Sequence, residues 1–158
     1  MQDIKLLWCD VDGTLTDGRV YVDDKGSETL CFSKIDGHGI KNLKEEGIKV
    51  AFITAESVPW PAKHRAKKLG VTYFISNAHN KLTDLQKLCE REHISLDEVA
   101  GIGDDINDFC SLNACGLKAC PQDAQEKIKN IPHMIVLSKK GGYGAVREFI
   151  DDYILKNI

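Results

Sequence analysis

No basic block, long apolar run, internal repeat or low-complexity linker breaks up these 158 residues. Each absence removes a class of function. Nucleic-acid footprints need clustered Lys and Arg, whereas the net charge here is −3, so no nucleic-acid partner is expected. The apolar runs are far too short to span a bilayer, which argues against a membrane partner. The opening Met1-Gln2-Asp3-Ile4-Lys5 runs straight into an apolar strand and does not read as a secretory signal. Six cysteines are present, but their spacing fits no zinc or redox pattern, and Cys9 lies in a core strand. Free, buried cysteines of a cytoplasmic protein are the expectation. A calcium loop starting at Asp10 also fails. Its sixth and twelfth positions hold Leu15 and Tyr21, where glycine and glutamate are needed. The length suits one domain, 1–158, with a full core.

What is present is an alternation. Leu6–Cys9, Ile48–Ile53, Val71–Ile75 and Val99–Ile102 read as buried strands, with late strands at Leu117–Ala119 and Met134–Leu137. Helices are predicted near Ile40–Glu46, Pro59–Leu69, Leu82–Glu92, Ile106–Leu112, Ala124–Lys129 and Ala145–Leu155. Arg19–Val22 and Ser27–Phe32 flank Asp23-Asp24-Lys25-Gly26 as a hairpin. Such alternation implies a parallel sheet with helices on both faces.

The chemistry gathers where strands end, which is where open α/β sheets bind ligands. Asp10 and Asp12 follow the first strand, and two close carboxylates call for a cation, a shared proton or a phosphoryl group. Thr54 ends the second strand, Asn80-Lys81 follows the third, and Gly103-Asp104-Asp105-Ile106-Asn107-Asp108 follows the fourth. Taken alone, Thr54 is an ordinary strand-end threonine. Lys81 stands out, because the first turn of a helix disfavours a cation unless an anion binds there. Asp105 and Asp108 leave two readings open, a helix capping box or support for a metal's water shell. The five histidines show no ligand spacing; only His38, inside Asp36-Gly37-His38-Gly39-Ile40, falls in a stretch of interest.

In order, these strand ends resemble the four motifs of the haloacid dehalogenase (HAD) superfamily. The resemblance implies a three-layer, Rossmann-like α/β fold and phosphoryl transfer through an aspartyl-phosphate. It implies Asp10 as nucleophile, Asp12 as general acid/base, and Thr54 and Lys81 as phosphoryl-binding groups. It also implies Mg2+ held by the side chains of Asp10 and Asp104 and the backbone carbonyl of Asp12. Only a β-hairpin flap separates the first two motifs, so there is no room for a cap domain. A capless domain of this kind is similar to the 3-deoxy-D-manno-octulosonate 8-phosphate (KDO 8-phosphate) phosphatase family. Further stretches carry that likeness: Thr16-Asp17-Gly18, Phe32-x-x-x-Asp36-Gly37-x-Gly39-Ile40, Ser76-x-x-x-Asn80-Lys81-Leu82 and Gly141-Gly142-Tyr143-Gly144-Ala145-Val146-Arg147-Glu148.

The family resemblance implies a sugar acid phosphate as substrate and a homotetramer whose neighbouring subunits help close each site. Ser33, Lys34, Ile35, Asp36, Gly37, Lys41 and Arg65 match substrate-binding positions, and Asp12 and Lys81 also meet the substrate. At the second motif the octulosonate enzymes usually carry Thr-Gly-Arg. Here Thr54-Ala55-Glu56 replaces that cation with an anion, as in a related branch acting on nine-carbon sugar acid 9-phosphates. Lys139, Lys140 and Arg147, in and after the glycine-rich loop, are further candidates for meeting substrate anions. Two other readings stand beside this one. Some HAD-like modules attached to sugar-acid-activating enzymes serve only in oligomer assembly, and receiver domains also phosphorylate an aspartate. A receiver carries that aspartate after its third strand, which does not fit Asp10.

Overall fold

The computed structural model describes residues 3–57 and 59–157. Among the described residues, eight strands and six α-helices follow one another in chain order. The strands are β1 (Leu6–Cys9), β2 (Tyr21–Val22), β3 (Glu28–Thr29), β4 (Lys49–Ile53), β5 (Tyr73–Ile75), β6 (Val99–Ile102), β7 (Leu117–Cys120) and β8 (Ile135–Val136). The helices are α1 (Lys34–Glu45), α2 (Trp60–Leu69), α3 (Lys81–Glu92), α4 (Phe109–Ala114), α5 (Glu126–Lys129) and α6 (Ala145–Phe149), with a π turn at Ile150–Ile154.

Six strands form one parallel sheet in the order β5-β4-β1-β6-β7-β8. β1 sits in the interior, and its Leu-Leu-Trp-Cys run is buried throughout, as a strand covered on both faces requires. Alternate residues feed different cores. Leu7 and Cys9 join Val50, Phe52, Ile40, Ala66 and Phe149 on the side of α1, α2 and α6. Leu6 and Trp8 join Leu85, Leu88, Leu112 and Ile128 on the side of α3, α4 and α5. Trp8 fits because Gly101 on β6 lacks a side chain; a Cβ there would lie 2.4 Å from the indole Nε1. That indole N–H donates to Cys115 Sγ at 3.1 Å, so burying its one polar atom is offset. β2 and β3 form the separate hairpin, much shorter than the sequence pattern predicts, with Val20, Tyr21 and Val22 exposed.

The chain passes from β1 out to β4 and β5, then returns to β6 on the other side of β1. That reversal makes a crevice at the carboxyl ends of β1 and β6. Asp10 and Asp104 flank it.

One helix departs from its predicted limits in a way that matters. α1 begins at Lys34, not Ile40. Ser33 is its N-cap, its hydroxyl accepting from the N–H of Ile35 (3.1 Å) and Asp36 (3.4 Å). Two glycines in the first turns hid it, since glycine weakens a helix by roughly 1 kcal/mol per residue. Tertiary packing overrides that cost. A Cβ on Gly37 would lie 2.7 Å from Arg65 Nη2, and one on Gly39 2.8 Å from Arg147 Cδ. All six cysteines are free, but Cys31 and Cys110 are exposed, which corrects the expectation that they are buried.

Candidate active site

Lys81 is the first residue of α3, and Asn80 caps that helix by accepting from Thr83 N–H at 3.1 Å. The lysine is only 2% exposed. Its ammonium is held between two carboxylates: it donates to Asp10 Oδ1, and to Asp108 Oδ1 at 2.6 Å. The macrodipole penalty foreseen for a cation here is met by those acids. Burial works against the charged lysine, but Asp10 and Asp108 outweigh it and hold its pKa above the ordinary value.

Asp104 stands across from Asp10. Thr14 Oγ1 donates to its Oδ1 at 3.0 Å. Asp10, Asp104 and Asp108 bring carboxylate oxygens within 4.8 Å of one another, the spacing of a cation site. The donors are all oxygen, the set preferred by hard divalent ions. Lys81 alone does not neutralise three acids. Burial pushes the Asp10 carboxyl up to about 7; Lys81 pulls it down and Asp104 adds to the rise. Burial likewise lifts Asp104 to about 6, and Asp108 to about 6 with Asp10 contributing. Three acids raised together by desolvation and mutual repulsion are what an added cation relieves.

Asp108 is not free to act as a ligand in the same way. Its Oδ1 takes Lys81, and its Oδ2 accepts from the N–H of Asp104 (3.0 Å) and Asp105 (3.2 Å). Asp105 caps the 3-10 turn Ile106–Asp108, and the two acids form a reciprocal capping box. The capping reading therefore holds for both, while Asp108 also reaches the acid cluster. Among the described residues, Asp10 and Asp104 each keep one oxygen without a protein cation or hydroxyl on it, besides their contact with each other.

Thr54 lies at the end of β4, buried, with its hydroxyl accepting from Glu56 N–H at 3.2 Å. Thr54 lines the cleft. Asp12 lines the cleft beside it; desolvation at the cleft wall, then the negative charge of Glu56, raises its carboxyl pKa. Asp10, Asp12, Thr54, Glu56 and Asn107 line a cleft of ≈ 550 Å³. A smaller space of ≈ 240 Å³ adjoins, sharing Asp12, Thr54 and Glu56 and walled by Arg19 and Leu30 of the hairpin and by Pro61. Glu56 thus faces the cleft.

Residues 62–150 match the model of haloacid dehalogenase-like hydrolases. The chain is 35% identical over 153 residues to the KDO 8-phosphate phosphatase of Yersinia pestis, covering 97% of this chain and 81% of that protein. The chain belongs to the KDO 8-phosphate phosphatase family of HAD-like hydrolases. Solved structures agree. The enzyme from Moraxella catarrhalis in complex with magnesium, phosphate and KDO superposes with a TM-score of 0.90 at 36% identity, covering 94% of this chain and 84% of that one. The cobalt-bound enzyme from Haemophilus influenzae gives 0.88 at 35% identity, covering 95% and 86%.

Several residues matched to the family's substrate positions stand elsewhere within this chain. Ser33, Lys34, Ile35, Asp36, Gly37, Lys41 and Arg65 line neither part of the cleft. Ser33 caps α1. Arg65 Nη2 donates to the Ser33 carbonyl at 3.2 Å. Lys34, His38, Lys41, Arg65 and Lys68 instead surround a separate hollow of ≈ 210 Å³ with no acid in its wall. Asp36 is 1% exposed and serves the fold: its Oδ1 accepts from Arg147 N–H at 2.9 Å, at the start of α6. Burial raises its pKa, opposed by the backbone N–H groups of Arg147, Gly144 and Val146. Arg147 is paired with Asp151, and Lys139 and Lys140 are exposed. Asp123, on the turn after β7, was not foreseen: it accepts from Gly141 N–H at 3.0 Å, and no sequence pattern marks it.

Proposed function

We propose that this chain is a magnesium-dependent phosphatase acting on a 3-deoxy-2-ulosonic sugar acid phosphate, either KDO 8-phosphate or a nonulosonate 9-phosphate. One observation carries the reading: Asp10, Lys81, Thr54 and Asp104 converge at one end of the sheet, around a cleft that also holds Asp12. Asp10 acts as nucleophile. Its carboxylate oxygen bonds to phosphorus as the ester P–O bond breaks, and Asp12 gives its proton to the departing sugar oxygen. Burial, then the charge of Glu56, raises the Asp12 carboxyl, the direction that favours a proton donor. In the second half it takes a proton from water, whose oxygen attacks the aspartyl-phosphate and releases inorganic phosphate. Lys81 and the Thr54 hydroxyl stabilise the equatorial phosphoryl oxygens. The side chains of Asp10 and Asp104 and the Asp12 carbonyl would hold magnesium, which supplies charge against the same oxygens.

The hollow of cations on α1 and α2 supports a shared site. Lys34, Lys41 and Arg65 have no acid to meet in their own hollow, and each chain's cleft is walled by acids at Asp12 and Glu56. Residues 1–158 act as one cytoplasmic domain that assembles as a homotetramer, and a neighbour's cations meet the sugar acid. The exposed apolar hairpin is a surface suited to such assembly. An oligomerisation module without chemistry would leave the Lys81–Asp10–Asp108 cluster with no use. The test is phosphate release from eight- and nine-carbon keto-sugar acid phosphates, with light scattering alongside. Asp10→Asn should abolish turnover, and a chelator should stop it reversibly. Undiminished hydrolysis by Asp10→Asn would sink the mechanism; a fully active monomer would sink the shared site.

A further inference from the structure

The glycine-rich segment Ser138–Gly144 takes no part in the reaction above, yet it is firmly held. Glu148 accepts from Ser138 N–H (2.9 Å), Ser138 Oγ (3.0 Å) and Lys139 N–H (2.9 Å). Asp123 Oδ1 accepts from Gly141 N–H at 3.0 Å. Asp36 fastens the start of α6 just beyond. Two carboxylates thus fix the loop, and a third holds the helix that follows it.

Its inner side lies on the loop that follows β1. Gly142 N–H donates to the Thr14 carbonyl at 3.0 Å. The contact is so close that a Cβ on Gly141 would sit 1.8 Å from the Gly13 carbonyl oxygen. Gly142 has φ +74°, and a Cβ on it would lie 2.5 Å from Asp17 N. The β1 loop in turn lies on Asp104. A Cβ on Gly13 would come within 2.2 Å of Asp104 Oδ2, and the Thr14 hydroxyl holds Asp104 Oδ1. From Asp123 to Asp104 the groups are in unbroken contact: Asp123, Gly141-Gly142, Gly13-Thr14, Asp104.

We propose that the glycine-rich loop is a positioning element for the cation site, and that Asp123 is its fastening residue. Asp104 is held through Thr14 by the turn that follows β1, in which the N–H groups of Thr14, Leu15 and Thr16 all point to the Val11 carbonyl. The tail loop stiffens that turn from behind, so Asp104 and Thr14 are set for the ion before it arrives. Thr14 is the partner one step removed from Asp104, and such partners govern metal affinity; the loop and Asp123 act through it. The inference rests on Asp10 and Asp104 being the magnesium ligands. It assigns the loop to the metal, and not to the sugar.

The experiment uses Mn2+ as the probe, titrated into the metal-stripped full chain and read by the electron paramagnetic resonance of free Mn2+. Asp123→Ala should weaken Mn2+ binding by about tenfold or more. Asp123→Asn, whose amide oxygen still accepts from Gly141 N–H, should bind close to the parent. Turnover at saturating Mg2+, and KM for the sugar phosphate, should stay near the parent in Asp123→Ala. Gly142→Ala should weaken Mn2+ binding as well, and if it does not fold, Asp123→Ala decides. Asp104→Ala separates the two ideas. If it binds Mn2+ like the parent, the ligand assignment falls, and this inference with it. If it loses Mn2+ while Asp123→Ala keeps the parent affinity, the positioning inference alone falls. Equal weakening by Asp123→Asn would also overturn it.

Discussion

Replacing Lys81 with methionine keeps most of the volume and removes the cation that pairs with Asp10 and Asp108 in a buried acid cluster. The side chains of Lys81, Asp10 and Asp108 are 1%, 8% and 0% exposed, so water can replace little of the pairing. Removing one partner of a buried ion pair costs about 3–5 kcal/mol, because the remaining charge stays desolvated. That cost depends on pH, and its sign follows from the acids. The native pKa values of Asp10 and Asp108 are raised to about 7 and about 6, above the ordinary carboxylate range. Between the unfolded and folded values the native state holds more protons, so metal-free stability falls as pH rises through that window. Without Lys81 both pKa values climb further and the fall steepens. In chelator, Lys81→Met should therefore lose about 3–5 kcal/mol near pH 8, with both acids charged in the unfolded chain. Near pH 5, where the acids are already protonated in the folded parent, the loss should shrink to about 1 kcal/mol. Urea unfolding of parent and variant at the two pH values measures the difference. An equal loss at both, or a larger loss near pH 5, would refute the coupling.

Three other outcomes follow from the same contacts. Asp36→Ala should destabilise the fold by about 1–2 kcal/mol through lost capping of α6, and Asp36→Asn by less, in urea unfolding. Glu56→Arg should raise kcat/KM for KDO 8-phosphate relative to nonulosonate 9-phosphates by the equivalent of about 1–3 kcal/mol. An unchanged ratio in a paired substrate assay would show that Glu56 does not choose the substrate. Mg2+ binding should release protons below about pH 7 and tighten as pH rises from about 5, since raised carboxyls must ionise to bind. Calorimetry in buffers of different ionisation heat reads that release directly.

The sheet was largely legible in the chain because buried parallel strands are short, nearly pure apolar runs, and Leu6–Cys9 and Val99–Ile102 match their strands residue for residue. Strand ends then located Asp10, Thr54, Lys81 and Asp104, since in this fold position along the chain fixes position at the crevice. The family was readable from the same residues. Helix starts were less so: α1 begins six residues before its predicted limit, because Gly37 and Gly39 weaken local propensity and are kept for close packing against Arg65 and Arg147. Tertiary structure alone decided which acids do what. Asp36 matches a substrate position by motif, but folding turns it inward to cap α6, whereas Asp108 joins Lys81 and Asp10 across a sequence separation that no local pattern records. Asp123 carries no signal at all; it matters only because the chain brings the turn after β7 against the tail loop. Local hydrophobic pattern and residue type determine strands and motif chemistry; pairings between distant polar groups exist only once the fold has set their distance and excluded water.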